Sequence, residues 1–161
     1  MDIDIHKIAQ TLGMRLQQRN LTVTTAESCT GGGVAQAITS IAGSSKWFHT
    51  GFVTYADWSK QQQLGVSQEN LCEFGAVSEM VAREMVEGAL LAAKSDIAVA
   101  VTGIAGPDGG SAEKPVGTVW LAWASKNSET ICQCMHFDGN RDQVREQAVA
   151  CALDGLLSLI D

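Results

Sequence analysis

Ser28, Lys60 and a set of glycine-rich turns are the parts of this chain whose residue types and spacing can do chemistry. Ser28 lies in TTAESCTGGG, where a β-branched run gives way to Gly31-Gly32-Gly33 and a helical pattern resumes at Val34. A serine at a tight strand-to-helix turn projects its hydroxyl into the open, which is the logic of a nucleophile elbow. The GxSxG form of that elbow is absent. Unpaired N–H groups at such a helix start, around Thr30, Gly31 and Gly32, attract an anion or a developing oxyanion. The plainer alternative is that Ser28 or Thr30 only caps the helix.

A serine nucleophile needs a base. The chain has 3 histidines, His6, His49 and His136; the first lies on an opening helix and the others on or beside strands. A neutral lysine is the other common base. Lys60 follows Tyr55 by five positions, at the head of a short helix. Its pKa would have to fall from ~10.4 through burial or a neighbouring positive charge. Otherwise Lys60 is an ordinary solvated lysine.

The segment TGIAGPDGGSAEKPVGT, opening at Thr102 and Gly103 and running through Gly106, holds both prolines and five glycines. Glycines let a backbone approach a ligand closely. The segment is not G-x-G-x-x-G, and G-x-x-x-x-G-K-[ST] occurs nowhere, so dinucleotide-fold and P-loop readings fail. Arg141 and Arg145, one helical turn apart, can clamp a phosphate, or can simply decorate a solvated helix face. No His or Cys pair has metal-ligand spacing on a helix, so no catalytic metal and no cofactor is expected.

These groups must be positioned by the elements around them. Ile5, Ile8, Leu12 and Leu16 form one helical stripe ending near Asn20. Leu21 to Ala26 reads as a strand, Val34 to Gly43 as a helix, and Phe52 to Ala56 as a second strand. Asp57 then serves as a plausible N-cap for the helix carrying Lys60, with Ser67 and Ser78 as further caps. Glu79 to Lys94 is a long helix. Asp96 to Thr102, apolar with little alternation, suits a central strand buried on both faces. Val116 to Ala124 and Ile131 to Phe137 alternate and suit an antiparallel pair. A helix from Arg141 to Ile160, striped by Val144, Ala148, Ala152 and Leu156, closes the chain. The order α-β-α-β-α-α-β-β-β-α predicts an α/β fold: a single three-layer α/β/α domain over residues 1–161, with a mixed sheet of about five strands. Ligands of such sheets gather beyond the carboxyl ends of the strands, where all three polar segments fall.

Composition narrows the function classes. The chain has 161 residues, 45% hydrophobic and 18% charged, enough for one core. Its net charge of −7 and the lack of any Lys/Arg run argue against nucleic-acid and anionic-membrane partners. No stretch is long enough to span a bilayer, and MDIDIHKIAQ is no signal peptide. The 5 cysteines, an odd count without a CxxC pair, read as reduced thiols, so a soluble cytoplasmic protein is expected.

Together TAESCTGG, GFVTY with Lys60 downstream, FGAVSE, VTGIAGPDGG…KPVGTV and FDGNR resemble the CinA C-terminal-domain family, from about Val23 to Arg145. Many relatives carry an extra N-terminal domain of molybdopterin-binding type, and none is expected within these 161 residues. The resemblance to members made of this domain alone implies hydrolysis of the carboxamide of nicotinamide mononucleotide, giving nicotinate mononucleotide and ammonia. It implies a serine–lysine pair that matches Ser28 and Lys60, with Tyr55 beside it. It matches Thr102 and Arg141 to residues holding ribose and phosphate, and it makes a homodimer plausible. Two rivals stay open: a non-catalytic module that senses pyridine nucleotides, and an amidase whose nucleophile is the adjacent Cys29.

Overall fold

The five strands are β1 (Val23–Glu27), β2 (Phe52–Val53), β3 (Ile97–Gly103), β4 (Thr118–Ser125) and β5 (Ser128–His136). They form one mixed sheet in the order β2-β1-β3-β4-β5. β1 runs parallel to both β2 and β3, while β4 and β5 continue antiparallel. The computed structural model describes residues 3–161.

The central strand shows how the sequence sets the layers. Side chains alternate faces along a strand, so Ile97, Val99 and Val101 point one way and Ala98 and Ala100 the other. β4 repeats the division, with Val119, Leu121 and Trp123 on the first face and Ala122 and Ala124 on the second. Against the bulky face pack α1 (Ile5–Arg19), α2 (Gly33–Thr39) and α6 (Arg141–Ile160). Against the alanine face pack α3 (Asp57–Leu64), α4 (Gln68–Phe74) and α5 (Glu79–Ala93). The expected three-layer α/β/α arrangement with five strands is therefore what the chain adopts.

Several boundaries follow local chemistry. The Asn140 side chain accepts from Gln143 N–H while Gln143 reaches back to the Asn140 N–H, a full capping box that starts α6 at Arg141. Ser67 and Ser78 cap α4 and α5 as expected. Three expectations need correction. The stretch between β2 and β3 holds three helices rather than two, because Gly75 ends α4 before Ser78 opens α5. Asp57 does not cap α3; it is the first helical residue, and Ala56 occupies the cap position. The strand expected over Phe52 to Ala56 pairs only at Phe52 and Val53, because the chain then leaves the sheet edge.

Among the described residues no helix is long and apolar enough to cross a membrane. The joint that matters most for the site is α3 on α5. Gly88 in α5 leaves room for the backbone carbonyl of Leu64, at the end of α3, and a Cβ there would collide with it. Gly88→Ala should therefore cost about 2 kcal/mol, since overpacking against backbone exceeds the gain in helix propensity. Urea unfolding read by circular dichroism checks this, with unchanged stability as the contrary result.

Candidate active site

β1 and β3 lie side by side and parallel, and the chain leaves their carboxyl ends in opposite directions, to β2 on one side and β4 on the other. Such a switch point opens a crevice. A cleft of about 290 Å³ lies there, lined among others by Ser28, Cys29, Tyr55, Lys60, Thr102 and Arg141. The three polar segments of the sequence thus meet in one place.

Ser28 is held at the end of β1 by its own N–H, which donates to the Val101 carbonyl at 2.9 Å. Lys60 sits in the first turn of α3, where helical side chains lean back towards the N-terminus. Its amine consequently returns to the segment that leads into the helix. Lys60 Nζ lies 2.8 Å from the Thr54 carbonyl, 3.3 Å from the Tyr55 carbonyl and 3.0 Å from Ser28 Oγ. Lys60 is only 1% exposed. Burial holds its ammonium below the ordinary lysine range, against the pull of the Asp57 carboxylate and of Cys29 in the other direction.

The three nitrogen contacts have a chemical consequence. A neutral amine has two N–H donors and one lone pair. With the donors given to the Thr54 and Tyr55 carbonyls, the lone pair is left for the Ser28 hydroxyl. A protonated amine has three donors, and the same three oxygens accept them. The site satisfies the lysine before and after it takes a proton.

Arg141 spans the mouth. It donates to the Gly106 carbonyl at 2.9 Å and to the Tyr55 hydroxyl at 3.0 Å. Tyr55 is 62% exposed, and its phenol reaches neither Lys60 nor Ser28; the backbone carbonyl is what touches the lysine. Thr102 donates its hydroxyl to the Ala76 carbonyl, tying the segment before α5 to the cleft wall. Gly103 and Gly106 line the cleft as well. Among the described residues no group of three or more His, Cys, Asp or Glu is placed to hold a metal ion.

Other expected groups lie elsewhere. Thr30, Gly31 and Gly32 do not line this cleft. Neither Ser28 nor Thr30 caps α2. That work falls to Glu27, a fully buried residue that the sequence reading passed over. Its carboxylate accepts from Val34 N–H at 2.8 Å, Ala35 N–H at 3.0 Å and the Thr30 hydroxyl at 2.6 Å. The start of α2 is thus filled by an internal acid and offers no anion cradle. The signal was an acid at the end of an otherwise uncharged strand, three residues before the turn threonine. Arg145 is not paired with Arg141 in a phosphate clamp; it turns beneath the serine loop and donates to the carbonyls of Cys29 and Thr30, both at 3.2 Å.

Cys29 faces the same cleft, but burial pushes its thiol up to about 12. It stays protonated at neutral pH, and a thiol is a poor nucleophile beside its thiolate. Cys29→Ala should keep kcat within about threefold, since only the thiolate form would attack. Steady-state ammonia release checks it, and loss of turnover would move the nucleophile to Cys29.

Residues 5–160 match the family model described as the CinA C-terminal domain. The chain is 56% identical over 155 residues to the nicotinamide-nucleotide amidohydrolase PncC of Escherichia coli strain K12, covering 96% of this chain and 94% of that protein. It is 54% identical to the Pseudomonas putida protein of the same name, covering 96% of each. The crystal structure of the competence/damage inducible protein CihA from Agrobacterium tumefaciens superimposes with a TM-score of 0.96 at 46% identity, over 100% of this chain and 98% of that one. On the family-model match and these identities over nearly its whole length, the chain belongs to the CinA C-terminal domain family.

Proposed function

We propose that this chain hydrolyses the carboxamide of nicotinamide mononucleotide, releasing nicotinate mononucleotide and ammonia. The observation that carries the reading is the buried Lys60 amine 3.0 Å from Ser28 Oγ with its other contacts spent on two carbonyls. The names of its relatives, nicotinamide-nucleotide amidohydrolases of 54–56% identity, support the same substrate.

The reaction runs as acyl transfer. Neutral Lys60 takes the Ser28 proton as Oγ bonds to the carboxamide carbon. The tetrahedral oxyanion collapses, the C–N bond breaks, and the Lys60 ammonium returns its proton to the departing ammonia. Water then attacks the nicotinoyl ester with Lys60 as base, and Ser28 leaves with the proton. The positive charge on the pyridinium ring of the substrate makes its carbonyl more electrophilic than that of a neutral amide.

Arg141 takes the phosphate. Among the described residues two of its N–H groups donate to protein, leaving the others for a dianion that the net charge of −7 would otherwise repel. Arg141→Lys should raise KM about tenfold and leave kcat within about threefold, because a lysine binds phosphate without the bidentate fork. The split between KM and kcat in steady-state assays checks the assignment, and an equal fall in kcat would move Arg141 to the chemical step.

The direct test is ammonia release from nicotinamide mononucleotide by the purified protein, coupled to glutamate dehydrogenase. Binding of the nucleotide without ammonia release would replace hydrolysis with sensing.

A further inference from the structure

We propose that Arg145 and Glu27 are positioning residues that set the Cys29 amide as the oxyanion donor of the cleft. The inference rests on the Ser28-nucleophile reading and extends it to residues that touch no substrate.

The argument runs through peptide planes. In a trans peptide the C=O and the following N–H point in opposite directions, so fixing a carbonyl fixes the next amide. Arg145 Nε donates to the Cys29 carbonyl at 3.2 Å, which turns the Thr30 N–H away from the guanidinium. Arg145 Nη2 donates to the Thr30 carbonyl at 3.2 Å, which orients the Gly31 N–H. That N–H donates to the Ser28 carbonyl at 3.0 Å, and this in turn directs the Cys29 N–H the opposite way. One side chain thereby orients three successive planes.

The remaining donors show which amides are free for the substrate. Gly31 N–H is used by Ser28, Gly33 N–H by the Thr30 carbonyl, and Val34 and Ala35 N–H by Glu27. Among the described residues, the amides of Cys29, Thr30 and Gly32 have no such partner, and of these three residues only Cys29 lines the reaction cleft. Arg145 and Thr30 border a groove between α1, α2 and α6, whereas Ser28 and Cys29 line the reaction cleft. The Cys29 amide, on a residue of the cleft wall, is therefore the donor that Arg145 sets through the Thr30 carbonyl, the Gly31 amide and the Ser28 carbonyl. The amide of the residue after the nucleophile is the donor that serves an oxyanion in serine elbows generally. Glu27 holds the other end of the loop, binding the Thr30 hydroxyl at 2.6 Å and anchoring it to α2.

A lost oxyanion donor weakens a tetrahedral adduct more than a planar ligand. The probe is the analogue of nicotinamide mononucleotide carrying an aldehyde in place of the carboxamide. Ser28 Oγ adds to its carbonyl carbon, the C=O electron pair moves to oxygen as the oxyanion, and the serine proton goes to Lys60. The planar control is nicotinate mononucleotide. Arg145→Lys keeps the charge but can hold only one of the two carbonyls well. It should weaken the aldehyde about tenfold or more, leave nicotinate mononucleotide within about threefold, and lower kcat with KM unchanged. Equal weakening of both ligands, or of neither, overturns the positioning role. If Arg145→Lys does not fold by circular dichroism, Glu27→Gln is read by the same ratio, with the same two outcomes. Failure of the hydrolase reading looks different: the wild-type protein would release no ammonia, while the ratio of the two affinities could still be measured on it and its variants.

Discussion

Ser28→Ala abolishes turnover: ammonia release from nicotinamide mononucleotide falls by about 10⁴-fold or more, as nucleophile deletions do when the remaining groups act only as a unit. Binding of the nucleotide stays within about threefold, because the hydroxyl contributes to the transition state far more than to the ground state. The fold should tolerate the change. Ser28 is held by its backbone N–H on Val101 and its carbonyl on Gly31, and neither bond involves the side chain. Among the described residues its hydroxyl hydrogen-bonds only with Lys60, whose amine keeps two carbonyl partners when the serine is gone. The measurement is rate and affinity on one preparation. A variant retaining a tenth of wild-type activity would exclude covalent catalysis at this position. Acid quenching of the wild type during turnover supplies a positive sign, a nicotinoyl ester on the peptide containing Ser28, which the alanine variant lacks.

What the sequence disclosed and what it hid divide along the range of the interactions. The bounds of α6 are local, because Asn140 and Gln143 close the capping box within one turn. The two-faced burial of β3 is local too, written in the unbroken apolar run from Ile97 to Val101. The early end of β2 is not local. Val53, Thr54 and Tyr55 have the composition of a continuing strand, but the carbonyls of Thr54 and Tyr55 turn to an amine on the following helix, so their hydrogen bonds go to Lys60 instead of a ladder. Glu27 is hidden in the same way. It caps a helix from seven and eight residues away in sequence, beyond the three-residue reach of a standard N-cap rule. The role of Arg145 depends on a partner 115 and 116 positions distant, which periodicity cannot display. The Ser28–Lys60 pair is legible because its motifs are, while its supports become visible only as contacts.

The pH dependence of kcat/KM should rise along one limb governed by Lys60, and the limb should lie below the ordinary lysine range. The sign follows from the form that works. Only the neutral amine can take the Ser28 proton, so activity is lost as pH falls through the lysine pKa and is complete above it. Burial lowers that pKa, which increases the neutral fraction near neutral pH relative to a solvated lysine. The Asp57 carboxylate acts in the opposite sense, stabilising the ammonium. Asp57→Asn should therefore move the limb towards acid, and a shift towards alkali would show that Lys60 is not the titrating base. Lys60→Arg removes the limb altogether, because a guanidinium does not deprotonate in this range, and kcat/KM should fall by about 10³-fold or more. That substitution preserves the positive charge and the capacity to donate to Thr54 and Tyr55, so its loss of activity reports the missing lone pair and not a missing cation. An arginine variant with substantial activity would make residue 60 an electrostatic anchor and leave Ser28 without its base.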